Sequence, residues 1–225
     1  MIKGLIFDFD GLIIDTEVGE YQAWHEIYQE YGLEYPQSEW QKLVGIYHSD
    51  PVPLIELERL KGPLDRETID ARHMRRSLEI SMQQPILPGI KKYLLDAQRL
   101  NLKTAIGSSS PRKWLDKFLE PRELSAFFDL IVTGDTVSQV KPSPEIFLSV
   151  ITQLGVTPQE ALILEDSVNG LMAARSAGIH CVIIPSKLTR GMDFSNADLI
   201  LESLECLPLV ELLKHFNSLE QHKEE

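Results

Sequence analysis

Two pairs of acidic residues in this sequence follow or close short apolar runs. Asp8 and Asp10 come after a run that begins at Ile2, and Glu165 and Asp166 close a second run. Side chains two residues apart on a strand point in the same direction, and carboxylates this close repel each other unless a proton or a cation compensates. An acidic turn or a helix cap would use the same residue types, so neither pair decides the chemistry alone.

Hydroxyl groups and one lysine occupy comparable positions. Ser108 and Ser109 stand where hydroxyls and backbone N–H groups can bind phosphate oxygens, although a polar turn before a helix needs the same residues. Ser110 precedes Pro111, and we expect Ser110 to cap the helix that begins there. Lys141 is flanked by prolines, a poor place for a mobile surface charge, yet isolated lysines are usually solvated.

Apolar runs alternate with helix-like stretches along most of the chain, which predicts an α/β, Rossmann-like, doubly wound parallel sheet. The carboxyl ends of such strands share one edge, where ligands bind. We therefore expect the polar groups after the strands to meet there: Asp8, Asp10, Ser108, Lys141, Glu165 and Asp166. Carboxylate oxygens with room for water and phosphate suit Mg²⁺, which would also relieve their repulsion.

The alternation of apolar runs with helix-like stretches predicts six strands and three helices, and one long segment interrupts it. Strands are predicted over 2–9, 102–106, 130–133, 161–164, 181–184 and 198–201, and helices over 111–119, 144–154 and 168–177. Residues 16–84 contain no convincing strand and instead predict helices over 18–31, 38–43, 52–60 and 66–82. The sequence therefore predicts a sheet domain of residues 1–15 and 85–225, with a helical insertion over 16–84.

The combined motifs resemble those of the haloacid-dehalogenase-like superfamily, in their usual order. They are Asp8-Phe9-Asp10-Gly11 with Asp15-Thr16-Glu17, the serines from Ser108, Lys141-Pro142, and Glu165-Asp166-Ser167-Val168-Asn169-Gly170. The set is similar to the subgroup that contains beta-phosphoglucomutase and phosphoglycolate-type phosphatases. That subgroup has a helical cap domain where residues 16–84 lie here.

The resemblance implies a reaction at Asp8, which would attack phosphorus and become an aspartyl-phosphate. Asp10 would give a proton to the leaving oxygen and then activate water, while its backbone carbonyl contacts the metal. Asp8 and Asp166 would bind Mg²⁺, with Glu165 ligating directly or through water. A carboxylate nucleophile divides the hydrolysis into two easier displacements.

The same resemblance implies how the phosphoryl group is held. Ser108, the backbone of Ser109 and Lys141 would bind it and balance its charge, which is where most phosphoryl-transfer catalysis lies. Asp10 indicates an oxygen leaving group, so phosphate chemistry is favoured over dehalogenation. We predict a Mg²⁺-dependent phosphatase acting on a small phosphorylated metabolite, such as a sugar phosphate.

Two other functions stay open at this point. The first is a beta-phosphoglucomutase-like phosphomutase, and the second is a non-catalytic protein that binds phosphate and metal. At the positions where the mutase has a histidine and a phosphate-gripping arginine, this chain has Glu20 and His48. A glutamate would repel a second phosphate, which favours the phosphatase. Glu20, Tyr47 and His48 are the candidate specificity residues.

The composition excludes several classes of partner. The chain has 225 residues and a net charge of -12 without a basic stripe, which argues against nucleic acid. Two cysteines, no signal peptide and no apolar run of spanning length predict a cytoplasmic protein with no membrane partner. We expect a monomer.

Overall fold

The computed structural model describes residues 1–47 and 50–221, with side chains to residue 218. Six parallel strands form one sheet in the order β3-β2-β1-β4-β5-β6. Their bounds are β1 (Gly4–Phe7), β2 (Lys103–Gly107), β3 (Leu130–Val132), β4 (Ala161–Glu165), β5 (His180–Ile183) and β6 (Leu199–Ile200). The central strand β1 pairs with β2 on one side and β4 on the other, with Phe7 opposite Ile106 and Leu164. This confirms the predicted α/β fold.

Helices cover both faces of the sheet because side chains alternate along each strand. Leu5 and Phe7 point into one core with helices α5 (Ile90–Arg99), α6 (Arg112–Leu119) and α9 (Leu209–Gln221). Ile6 points into the other core with α7 (Glu145–Leu154) and α8 (Val168–Ser176). Cys181 is fully buried in the second core, as expected for a small apolar residue.

The segment between β1 and α5 is helical. It contains α1 (Thr16–Glu30), α2 (Gln37–Gln41), α3 (Val52–Lys61) and α4 (Arg66–Met82), close to the predicted bounds. A separate apolar cluster includes Trp24, Tyr28 and Leu57, so Trp24 is a packing residue at 1% exposure. Gly19 lets α1 approach α4, since a Cβ there would fall 2.8 Å from the backbone oxygen of Ser77.

Contacts at both ends and at the tip join the helical segment to the sheet. Ile14 forms an antiparallel bridge with Ile86, so the two connecting stretches lie side by side. At the tip, the Gln41 side chain donates to the Leu188 carbonyl at 2.6 Å. Nearby, the Asn169 side chain donates to the Val44 carbonyl at 2.8 Å. We refer to residues 16–84 as the cap segment.

Several local predictions need correction. Helices α6 and α7 begin one residue later than predicted, so Pro111 and Pro144 are N-cap residues rather than first helical residues. The expectation that Ser110 caps α6 is wrong, because its hydroxyl donates to Asp10 Oδ2 at 2.6 Å instead. The residue that caps α8 is Ser167, whose hydroxyl accepts from the Gly170 N–H. Within the described ranges, no helix is long and apolar enough to cross a membrane.

Candidate active site

Asp8, Lys141 and Glu165 form a buried row at the carboxyl end of the sheet. Asp8 follows β1, and its N–H donates to the Leu164 carbonyl of β4 at 2.9 Å. The Lys141 ammonium donates to Asp8 Oδ1 and, at 2.7 Å, to Glu165 Oε1. All three residues are at most 4% exposed. One buried cation therefore joins two carboxylates from adjacent strands.

Glu165 is held from several directions. Its Oε2 accepts from the N–H groups of Asp166 and Ser167, each at 2.8 Å, and from the Ser167 hydroxyl at 3.0 Å. These donors surround the start of α8, where backbone N–H groups favour negative charge. A Cβ at Gly170 would fall 1.8 Å from Glu165 Oε1, so only glycine leaves room for this carboxylate.

Asp166 provides the observation that best fits a metal. Both its carboxylate oxygens are buried, and neither has a hydrogen-bond partner among the described residues. Asp8, Glu165 and Asp166 each offer an oxygen, and these oxygens lie within 4.8 Å of one another. A Cβ at Gly11 would fall 2.1 Å from Asp166 Oδ2, and Gly11 has φ of +82°. Buried carboxylates without donors suit a hard divalent cation.

Burial and charge shift the pKa values in this row. Burial raises the pKa of Asp8 to about 8, although the Lys141 ammonium opposes that shift. Burial, with the nearby carboxylates of Glu165 and Asp8, holds the pKa of Asp166 well above its usual value. Burial alone would lower the pKa of Lys141, but Asp8 and Glu165 raise it overall. The site thus favours an added positive charge beside Asp8 and Asp166.

Asp10 lies outside this row and accepts hydrogen bonds on both carboxylate oxygens. The Thr16 hydroxyl at 2.6 Å and the Trp114 indole N–H at 2.8 Å donate to Oδ1. The Ser110 hydroxyl at 2.6 Å and the Ser108 hydroxyl at 3.3 Å donate to Oδ2. Sequence reasoning missed Thr16, Ser110 and Trp114 as partners of Asp10. Thr16 and Ser110 had a local signal, because each belongs to one of the motifs seen in the sequence, whereas Trp114 had none.

The serines lie between Asp10 and the cap segment. Ser108 is 1% exposed, and its hydroxyl also accepts from the Ser110 N–H at 3.1 Å. The Ser109 hydroxyl donates to the carbonyl of Gly45 in the cap segment at 2.8 Å. The structure thus brings Ser108 next to Asp10, while the Ser109 side chain contacts the opposite wall.

Two adjoining cavities extend from Asp10 into the cap segment. A cavity of about 120 Å³ contacts Asp10, Glu17, Tyr47 and Trp114. A neighbouring cavity of about 230 Å³ is lined by aromatic and acidic residues, among them Trp24, Asp70 and His73. Glu20, Trp40, Leu43, Ile46, Tyr47 and Met74 line both cavities. Among the described residues, neither lining includes a lysine or an arginine.

The candidate specificity residues Glu20 and Tyr47, and the neighbouring His73, differ in their surroundings. Burial raises the pKa of Glu20 to about 7, although a hydrogen bond from the Ser77 hydroxyl opposes this. Burial lowers the pKa of His73 to about 4, and its ring stacks on Trp24 with centroids 4.2 Å apart. Tyr47 lines the cavities and is 49% exposed. His48 lies outside the described residues.

Comparison with known proteins places this site in a family. The model of the haloacid dehalogenase-like hydrolases matches residues 5–184, which include every motif described above. The chain belongs to the haloacid dehalogenase-like hydrolase family. This confirms the resemblance seen in the sequence and makes the chain a hydrolase of that family.

Relatives with similar sequences and structures match most of the chain. A Bacillus subtilis protein called YhcW, named as a phosphatase, is 42% identical over 97% of this chain and 99% of its own length. A phosphorylated carbohydrates phosphatase of Thermotoga maritima is 30% identical over 80% of this chain and 83% of its own. The crystal structure of beta-phosphoglucomutase from Clostridium difficile has a TM-score of 0.80, with 26% identity over 97% of this chain and 98% of that one.

Proposed function

We propose that this chain is a Mg²⁺-dependent phosphatase that hydrolyses a small phosphomonoester, such as a sugar phosphate, through an aspartyl-phosphate on Asp8. The observation that supports this most is the row of Asp8, Lys141 and Glu165 beside the unpartnered oxygens of Asp166. That arrangement gives a carboxylate nucleophile, a fixed positive charge and ligands for a cation in one buried place. The relatives named as phosphatases make the same reaction the first choice.

The proposed reaction has two displacements. A carboxylate oxygen of Asp8 forms a bond to phosphorus, and the bond from phosphorus to the ester oxygen breaks. Asp10 gives a proton to that ester oxygen and later takes one from the water that hydrolyses the aspartyl-phosphate. Lys141, Ser108 and the Ser109 backbone hold the phosphoryl oxygens throughout.

Mg²⁺ would supply positive charge that offsets the charge on the phosphoryl oxygens. Asp8, Asp166 and the Asp10 carbonyl would hold it, with Glu165 binding directly or through water. Both Glu165 oxygens already have hydrogen-bond donors, which favours the water-mediated arrangement for this residue.

The cavity lining favours hydrolysis over a mutase reaction. A phosphomutase must bind a bisphosphate, and a distal phosphate needs a cationic partner. Glu17, Glu20 and Asp70 line the cavities, and no described lysine or arginine faces the same space. We propose that residues 16–84 act as a cap domain on a core of residues 1–15 and 85–225, in a cytoplasmic monomer.

Phosphate release and product analysis test this proposal. The wild-type protein with Mg²⁺ should release inorganic phosphate from members of a sugar phosphate panel, and chelation by EDTA should stop the release. Asp8→Asn should abolish turnover in a colorimetric phosphate assay. Turnover by Asp8→Asn at the wild-type rate would exclude the covalent mechanism. Isomerised sugar phosphate without free phosphate, followed by ³¹P NMR, would show a mutase instead.

A further inference from the structure

Four described groups donate hydrogen bonds to Asp10. The indole of Trp114 is the one among them that can donate but cannot accept. Its indole N–H lies 2.8 Å from Asp10 Oδ1. The other partners, Thr16, Ser108 and Ser110, are hydroxyl groups. A hydroxyl can rotate to donate or accept, whereas an indole nitrogen has no acceptor function. Asp10 Oδ1 must therefore stay an acceptor while it contacts Trp114.

This restriction distinguishes the two oxygens of Asp10. In a neutral carboxyl group, one oxygen carries the proton and the other acts as the carbonyl acceptor. The C=O oxygen of a neutral carboxyl group is the stronger acceptor, so the hydrogen bonds that Oδ1 accepts from Trp114 and Thr16 favour Oδ2 as the oxygen that carries the proton. Oδ2 is the oxygen that faces the hydroxyls of Ser108 and Ser110, on the side proposed to bind phosphate.

The indole belongs to the apolar core and also forms part of the wall of the smaller cavity. Trp114 lies in the first turn of α6, is 8% exposed and packs edge-on against Phe118 with centroids 4.9 Å apart. Phe118 in turn contacts Phe9, with centroids 5.8 Å apart. Phe9 stands between Asp8 and Asp10 in the chain, so the same aromatic row supports both the indole and the loop that carries Asp10.

We propose that Trp114 is a positioning residue that orients the Asp10 carboxyl group and keeps Oδ2 as the oxygen that delivers the proton. This rests on the proposed function, in which Asp10 protonates the leaving group. In that step an Asp8 oxygen bonds to phosphorus, and the phosphorus–oxygen bond to the leaving group breaks. Its electron pair stays on the ester oxygen, which receives the proton from Asp10 Oδ2.

Leaving-group dependence tests the role of Trp114. An alkyl ester needs a proton on its leaving oxygen, whereas the nitrophenolate of 4-nitrophenyl phosphate leaves without one. Trp114→Phe keeps an aromatic ring beside Phe118 and removes the N–H. Its kcat/KM on the best sugar phosphate of the panel should fall about tenfold, a part of the range that a positioned acid supplies. On 4-nitrophenyl phosphate kcat/KM should fall by less than about threefold. This ratio covers the steps up to the aspartyl-phosphate and leaves out its hydrolysis, in which Asp10 acts alike for both esters.

Asp10→Asn provides the reference for the proposed function itself. Its kcat/KM should fall about 10²–10⁴-fold on the sugar phosphate and much less on the aryl ester. If Asp10→Asn shows this selectivity and Trp114→Phe does not, the role of Trp114 is wrong and the phosphatase stands. If wild-type protein hydrolyses no phosphomonoester, or Asp10→Asn lowers kcat/KM equally for both esters, the acid role of Asp10 fails and the proposal for Trp114 fails with it.

A second measurement does not depend on the folding of Trp114→Phe. The indole N–H resonance of Trp114 in ¹⁵N-labelled wild-type protein, assigned by triple-resonance experiments, should move upfield in Asp10→Ala. The indole of Trp40 donates to Glu17 Oε2 at 3.0 Å and serves as the internal reference. An unmoved Trp114 resonance would show that its N–H does not bind Asp10 in solution, which would overturn the proposal.

Discussion

Lys141 provides the positive charge that balances its two buried acidic neighbours. Its ammonium is buried between Asp8 and Glu165, and Phe147 covers it with the ring centroid 4.9 Å from Nζ. A buried ion pair adds little net stability over apolar residues, but removal of one partner leaves the other charge unpaired. Lys141 thus compensates two carboxylates that the site needs for other purposes.

We expect Lys141→Met to destabilise the protein by about 3–5 kcal/mol, because the buried Glu165 carboxylate, and Asp8 where it is ionised, then lose their counter-charge. Urea unfolding in EDTA at neutral pH measures this without a contribution from metal. Lys214→Met is the matched control, since Lys214 pairs with Glu211 on an exposed helix face, with its side chain 67% exposed. Equal unfolding midpoints for the two variants would contradict the structural role given to Lys141.

Glu20 should make stability depend on pH. Its pKa in the folded protein is raised to about 7 from an ordinary 4.5, so the folded state binds the proton more tightly than the unfolded state does. Its stabilising contribution is complete below pH 4.5 and is lost as pH rises through about 7. The pKa of His73 shifts in the opposite sense, to about 4. His73 is present both in the wild-type protein and in the Glu20→Gln variant, so it does not contribute to their difference.

Glu20→Gln keeps an acceptor for the Ser77 hydroxyl and removes the titration. We expect its melting temperature to equal that of wild type at pH 4.5 and to exceed it by about 2–4 °C at pH 8. The Glu20 side chain is 26% exposed, which moderates the effect. The facing groups Asp10, Asp70 and His73 are unchanged in the variant. Parallel melting curves of the two proteins across this pH range would rule out Glu20 as the cause.

Packing between α1 and α4 depends on a position with no side chain. At Gly19 a Cβ would lie 2.1 Å from the Ser81 hydroxyl and 2.8 Å from the Ser77 carbonyl oxygen. The hydroxyl can rotate away, but the carbonyl belongs to the backbone of α4. Among the described residues, these two helices form the most extensive helix–helix contact of the cap segment, so a shift there displaces the cavity wall that carries Glu20.

Gly19→Ala should destabilise the protein by about 1–3 kcal/mol through overpacking, although alanine is the better helix former. The urea midpoint measures the loss. Gly4→Ala is a suitable control, because the nearest atom to its Cβ is an ordinary contact at 3.6 Å. That control should be neutral or slightly stabilising. A Gly19→Ala protein as stable as Gly4→Ala would mean that α1 and α4 have room to separate.

The strands and helices show how much the pattern of apolar residues could predict. All six strands were predicted, with ends that differ from the structure by up to two residues, because a run of apolar residues does not mark where the hydrogen-bonded pairing begins and ends. Helices α5 and α9 were missed although each has a helical apolar period, as in Ile90, Tyr93, Leu94 and Ala97. The contact of Trp114 with Asp10 spans 104 residues and depends on the rotation of α6, which no local pattern specifies.

At the scale of the whole molecule, a bound cation would link the site to global stability. Asp8, Glu165 and Asp166 follow or end two neighbouring strands at the centre of the sheet, so they come together only when the sheet has formed. A ligand that binds only the folded state raises its stability. The sequence predicted this cluster from shared strand ends, while the strand order that brings β1 beside β4 was not predicted.

Mg²⁺ should therefore raise the melting temperature of the wild-type protein. The free energy of unfolding should increase by about 1.4 kcal/mol for each tenfold excess of Mg²⁺ over its Kd. We expect Asp166→Asn to lose this dependence, because the amide removes the negative charge of the unpartnered carboxylate. Asp193→Asn, at an exposed position, should keep it. Scanning calorimetry with and without Mg²⁺ measures the shift, and an equal shift in Asp166→Asn would place the cation elsewhere.

The bridge between Ile14 and Ile86 has a consequence for how such a molecule can diversify. The two ends of the cap segment leave the sheet side by side, so a segment of another length or shape can join the same two points without altering strand register. Asp8, Lys141 and Asp166 lie outside the exchanged piece, whereas Glu20 and Tyr47 lie within it. An ancestral sheet could thus acquire new substrates by the replacement of one continuous stretch of gene, with its reaction chemistry inherited intact.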